Sequence, residues 1–226
     1  MARKKNTKNF QSKSILIALE DTKSSRFYFR DLIKHYKLNA HVELAKHIGT
    51  NPKKVLEAID KYIKDNKDIK IDKSWIVIDK DNFPKNDFKG TIETSRQKNV
   101  GVAYSNMSYE LWLLLHFKDQ TTYISNEDIL RELDKEFEKA FSEKYTKSSG
   151  SIFIKLLSRM PSAIKRADKL IKMHMKNNDG TLDPYEDNPS TTIHVLILCL
   201  IKIDFCKEKK YDATEIIKDY HKSLEK

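Results

Sequence analysis

Glycine and proline are scarce, five of each in 226 residues, and there are only two cysteines. The shortage of glycine and proline excludes collagen-like and low-complexity architectures, and two cysteines cannot staple a disulfide scaffold. Cys199 and Cys206 fit no zinc or redox spacing, so both read as buried thiols of a reducing compartment, outside any mechanism. Long apolar runs are also missing. The longest, Val195 to Ile201, falls far short of the ~20 residues that a membrane-spanning helix requires. Met1 to Lys13 is basic and polar with no apolar segment behind it, which argues against a secretory signal. The expectation is a cytoplasmic protein with no membrane association. What remains is enough apolar content, 39% of residues, for one large domain or one domain with an appendage.

Charge is abundant and unbalanced. Forty-three Lys and Arg face 33 Asp and Glu, a formal charge of +10. A basic chain attracts polyanions because each cation that meets a phosphate releases condensed counterions. Here the bases are interspersed with acids rather than gathered in a block, so charge alone does not single out nucleic acid.

Residues 1–13 read as a basic flexible arm. Structure begins with the continuous apolar run Ile15 to Leu19, which ends in Glu20-Asp21, as a buried parallel strand does where it meets solvent. Phe29, Leu32, Ile33 and Tyr36 then repeat at helical spacing, with Ser24 or Ser25 able to cap the first turn. Val42 to Ile48 reads as a second strand. Asn51-Pro52 opens another helix through Val55, Leu56, Ile59 and Ile63. Trp75 to Ile78 is a third strand, again ending in acids, and Val100 to Tyr104 a fourth. Strands alternating with helices imply an α/β fold, an open parallel sheet covered by helices. Beyond residue 106 the pattern becomes helical: Tyr109 to Phe117 is strongly apolar, and Glu127–Lys144, Ile152–Asn177 and Thr191–Phe205 follow. The chain therefore divides into the arm, an α/β core over 14–106, and a helical region over 107–226 packed on that core.

Ligands of α/β sheets gather at the carboxyl ends of strands, where Glu20-Asp21 and Asp79-Lys80-Asp81 lie. While the backbone stays extended, residues i and i+2 project to one side, so Asp79 and Asp81 would present two carboxylates to one point. Crowded carboxylates raise each other's pKa, and a divalent cation removes the conflict. Mg²⁺ suits such a site because it takes one or two carboxylates and keeps waters that phosphate oxygens can replace; Mn²⁺ is an alternative. Glu20 could join the set, either at a second metal or as general base on a water attacking phosphorus. Acids that merely cap turns after strands explain the same residues without chemistry. A phosphoacceptor receiver domain also places acids after strands one and three and a Ser after strand four, here Ser105. It needs in addition a lysine after a fifth strand, which cannot be located, and it lacks a helical half of this size.

Three segments in order resemble the RloB-like (AbiLii-related) family: Ile15 to Glu20, Val77 to Asp81, and Ala103 to Phe117 with its Ser-Asn, Glu-Leu-Trp and His-Phe. Tyr145-Thr146-Lys147, Ala163 to Ala167 and Asn188 to Thr191 extend the resemblance to about Leu200. It implies a Toprim-like fold in which the first-strand Glu20 and the pair Asp79 and Asp81 hold Mg²⁺ and cut nucleic-acid phosphodiesters, DNA or RNA. It further implies anti-phage defence by abortive infection, with an ABC/AAA-type ATPase encoded alongside as partner. Where the family usually reads Glu-Gly-Glu-x-Thr-Glu, this chain has Glu20-Asp21-Thr22-Lys23-Ser24-Ser25. That departure leaves open a degenerate, non-catalytic module that binds nucleic acid or the ATPase, although Asp21 could supply a displaced carboxylate.

Glu110, set against Leu111 to Leu115, reads either as a first-turn residue facing helix N–H groups or as a site residue, and the resemblance places it among the catalytic acids. Lys147 and Arg166 are candidates for holding substrate phosphates, lysine as a point charge and arginine as a bidentate fork, although a solvated surface role is the simpler explanation of each. His116, four residues after Trp112, reads as a packed, hydrogen-bonded histidine. Asn188 before Pro189 reads as a helix N-cap.

Overall fold

The computed structural model describes residues 14–21, 23–38, 41–44 and 51–205. The basic arm, the end of the expected second strand and Cys206 lie outside them. Four parallel strands, β1 (Ser14–Leu19), β2 (His41–Leu44), β3 (Lys73–Asp79) and β4 (Val100–Asn106), form the sheet. A two-residue fifth strand, β5 (Ser190–Thr191), adds antiparallel to β4, giving the order β2-β1-β3-β4-β5. The strands β1 and β3 are apolar without alternation because both faces are covered. Ile15, Ile17, Leu19, Trp75 and Val77 enter one core, and Leu16, Ala18, Ile76 and Ile78 the other. The period of two therefore survives as a choice between two dry faces.

Helices α2 (Pro52–Asp65) and α3 (Lys85–Gln97) cover the second face through Val55, Leu56, Ile59 and Phe88. The Asn51 side chain caps α2 by accepting from the Lys54 N–H at 2.8 Å, with proline in the first turn, as its sequence predicts. The first face is larger. There α1 (Ser24–His35) packs with α4 (Glu110–Leu114), α5 (Asn126–Phe141), α6 (Ile152–Leu156), α7 (Met160–Asn177) and α8 (Ile193–Phe205) in one continuous hydrophobic cluster. The helical region thus shares its core with the sheet.

Three local expectations change. The single helix expected over 152–177 is two, joined by a 3₁₀ turn at Leu157–Arg159, because Pro161 forces a new helix start. Asn188 does not cap a helix. It precedes a cis Pro189 and uses its amide to clamp Ile124, accepting from that residue's N–H and donating to its carbonyl at 3.0 Å each. The last helix starts at Ile193 rather than Thr191, since Ser190 and Thr191 are drawn onto β4. The receiver reading also fails: the fifth strand is antiparallel, and the Ser105 hydroxyl is buried against Thr191 at 2.9 Å.

Gly101 lies on β4 where a Cβ would come within 2.5 Å of the Trp75 indole. The close approach of backbone to ring requires glycine. Gly101→Ala is expected to cost about 1–3 kcal/mol by overpacking, a fall in Tm of roughly 2–12 °C at this chain size. Thermal denaturation checks it, and an unchanged Tm would mean that the indole moves aside freely.

Candidate metal-binding active site

In the order β2-β1-β3-β4, the chain leaves β1 toward one edge of the sheet and leaves β3 toward the other, so a crevice opens at the carboxyl ends of these two strands. Glu20 follows β1 and Asp79 ends β3. The ladder continues past β1, with the Glu20 N–H donating to the Val77 carbonyl at 3.0 Å. The Glu20 side chain reaches across, its Oε2 accepting from the Asp79 N–H at 3.0 Å. The topology thus brings together two acids that are 59 residues apart in the chain.

Asp79 is only 8% exposed, and its Oδ1 is buried with no hydrogen-bond partner. Burial, then the nearby carboxylates of Glu20, Glu110 and Asp81, push its pKa well above the ordinary aspartate value, against a lowering contribution from the Tyr109 N–H. Glu20 is pushed from 4.5 up to about 8, first by burial and then by Asp81 and Asp21, while its bond from the Asp79 N–H opposes the rise. The protein therefore holds two unneutralised acids in low-dielectric surroundings, an arrangement that costs stability and favours protons or a cation.

Asp81 departs from the expected geometry. Instead of staying extended, the backbone turns at Asp81 to a φ of +38°. Its N–H donates to the Met107 carbonyl at 2.9 Å, and its Oδ1 accepts from the Asn126 amide at 2.8 Å. The two aspartates of the D-x-D are thus not presented side by side by one strand. Among the described residues no three His, Cys, Asp or Glu side chains are grouped so that they could hold a metal ion. Asp21 is committed elsewhere: its Oδ1 accepts from the Lys23 N–H and its Oδ2 from the Ser25 N–H, both at 2.9 Å, and from the Ser24 hydroxyl. It serves the start of α1, where free N–H groups need an acceptor.

Glu110 is 2% exposed and collects three donors on Oε1. They are the Tyr145 hydroxyl at 3.0 Å, the Lys147 ammonium at 3.0 Å and the Ser24 hydroxyl at 3.3 Å. The side chain thus ties α1 and the α5–α6 connection to the start of α4 instead of facing its own helix. Lys147 stays 51% exposed while its ammonium touches this buried acid. Burial alone would lower its pKa, but Glu110, Asp21 and Asp79 reverse the effect and hold it above the ordinary lysine value. Arg166 is not brought to the acids: its Nη1 donates to the Leu115 carbonyl at 2.8 Å, at the end of α4 opposite Glu110. His116 is buried between the Trp112 carbonyl at 2.9 Å and the Tyr28 hydroxyl at 3.3 Å, and burial lowers its pKa to about 3, so it is neutral.

Two contributors escape sequence reasoning. Asn126 follows the cap residue Ser125 and reads only as a helix start, and Tyr145 carries no chemistry of its own in a Tyr-Thr-Lys tripeptide. The donor set suits a hard divalent cation, since Mg²⁺ needs only one or two carboxylates and Glu20 and Asp79 supply them. The unpartnered Oδ1 of buried Asp79 is the atom such a cation would satisfy.

A family model described as RloB-like protein matches the chain over residues 15–200. Neither the curated proteins nor the solved structures compared with the chain contain a match.

Proposed function

The chain belongs to the RloB-like family, and from that premise we propose that it is a Mg²⁺-dependent nuclease of the Toprim-like type, hydrolysing phosphodiester bonds of DNA or RNA. The observation that carries the reading is the meeting of Glu20 and buried Asp79 at the β1/β3 crevice, with Asp79 Oδ1 left without a donor. Asp79 and Glu20 would hold the cation, with Asp81 beside them; Mn²⁺ would substitute. When bound, the cation supplies positive charge to a phosphate and lowers the pKa of water. The chain's own residues do the rest. Glu20, with Oε2 committed to the Asp79 N–H, keeps its other oxygen for the cation or for a water beside it. Lys147, anchored on Glu110 and half-exposed, would offer a point charge to a substrate phosphate. Arg166, engaged at the far end of α4, would contribute through contacts other than the scissile phosphate. Anti-phage defence by abortive infection and a partner ABC/AAA-type ATPase belong to the same reading, resting on family resemblance. No helix among the described residues is long and apolar enough to cross a membrane.

A second reading has one observation in its favour. The absence of a three-acid cluster among the described residues suits a degenerate module that binds nucleic acid or the ATPase without cutting.

The pH dependence of cation binding separates the two. The folded-state pKa of Glu20, about 8, lies above its ordinary 4.5, so its contribution to stability is complete below about 4.5 and is lost as pH rises through about 8. The cation competes with that proton. Mg²⁺ affinity is therefore expected to rise between pH 6 and 8.5, by roughly tenfold per pH unit while one proton is displaced. In parallel the metal-free chain should lose Tm over the same interval, and Mg²⁺ should restore it. Calorimetric titration at several pH values, with cleavage of pooled DNA and RNA in the same buffers, measures both. Absence of cation binding at every pH would support the non-catalytic module.

A further inference from the structure

The amide of Asn126 is placed where helix capping has no use for it. Ser125 already caps α5, its side chain accepting from the Asp128 N–H at 3.1 Å. Asn126 instead donates its Nδ2–H to Asp81 Oδ1 at 2.8 Å, leaving its own Oδ1 buried with no partner. Among the described residues only two carboxyl or amide oxygens are buried without a partner, and they are Asn126 Oδ1 and Asp79 Oδ1. Both belong to the D-x-D segment or touch it. An orphaned buried acceptor costs stability, so each calls for a ligand that it can face.

Asp81 is held at both backbone and side chain. A non-glycine residue at positive φ is disfavoured and persists only where its surroundings impose it. Here the Met107 carbonyl fixes the N–H and Asn126 fixes the carboxylate. We propose that Asn126 is a positioning residue for the cation site, holding Asp81 in orientation through its N–H while its side-chain oxygen faces the same cation or its hydration shell. This rests on the nuclease reading above. It assigns to the first turn of α5 a part in metal selection: a neutral amide oxygen and an oriented carboxylate favour a hard divalent cation over softer metals. On this reading the D-x-D needs no extended backbone, since the strand end supplies Asp79 and a separate helix supplies the support for Asp81.

The test is a calorimetric Mn²⁺ titration of the full chain with Asn126→Ala, Asp81→Ala, the double variant and Asp79→Asn. Asn126→Ala keeps the Ser125 cap, so its Tm should stay within about 2 °C of the native value. Its Mn²⁺ affinity should fall about tenfold to a hundredfold, the usual effect of removing a group that orients a ligand. The double variant should lose clearly less than the product of the two single losses, because Asn126 acts largely through Asp81. Native-like Mn²⁺ affinity in Asn126→Ala, or fully multiplicative losses, overturns the proposal. If that happens while Asp79→Asn still abolishes binding, the nuclease reading stands and only Asn126 is dismissed. If the native chain binds no Mn²⁺, both fall together.

Discussion

Asp79→Asn is expected to reduce Mg²⁺-dependent cleavage about a thousandfold or more, the scale of loss when a residue at a reacting centre is removed. Asparagine keeps the shape and the backbone N–H that Glu20 Oε2 accepts, so the crevice persists. What disappears is a buried carboxylate whose pKa is held high first by burial and then by Glu20, Glu110 and Asp81. The same change should therefore stabilise the metal-free chain. Removing an unneutralised charge at a functional site commonly yields about 0.5–2 kcal/mol, or roughly 1–8 °C in Tm here. The gain should grow as pH rises, because ionising the buried acids costs the native chain stability. Parallel thermal melts in chelator and cleavage assays in Mg²⁺ measure the two halves. Retained cleavage would remove Asp79 from the mechanism, and a large drop in metal-free Tm would mean that its carboxylate is structural.

Trp112→Ala should be the most damaging single change to the fold. The side chain is wholly buried on α4, with the Tyr28 ring 6.4 Å away edge-on and the His116 ring at 4.7 Å. Its backbone carbonyl accepts from His116 Nδ1 at 2.9 Å. Truncating a buried tryptophan costs about 3–5 kcal/mol, and the whole stability of a domain is only about 5–15 kcal/mol. Tm should fall by roughly 6–20 °C. Because Glu110 opens the same short helix, any cleavage should fall with the folded fraction and return when the protein is assayed at lower temperature. Denaturant titration supplies the stability, and a loss below about 1 kcal/mol would contradict the packing described for α4.

The sheet was legible because its central strands are continuously apolar and end abruptly in charge, as at Leu19-Glu20 and Ile78-Asp79. The fifth strand was not, since two polar residues carry no periodicity and Ser190-Thr191 is defined only by its tertiary pairing with β4. Asn188-Pro189 carries the signature of a helix start, yet tertiary contacts with Ile124 claim the amide instead. At the site, Glu20 and Asp79 could be placed from strand ends and topology alone. Asp81 departs from the extended geometry expected of it, because nothing in Asp-Lys-Asp announces a turn to positive φ. The Asn126 contact was invisible: it depends on a helix 45 residues away arriving beside the D-x-D.

A divalent cation is expected to bind in the Glu20–Asp79 crevice. Isothermal titration of Mn²⁺ into the native chain and into Asp79→Asn at pH 8 tests it most directly. A saturable event with release of protons is expected in the native chain, and none in the variant. Equal binding by both, or no binding by the native chain, would contradict it.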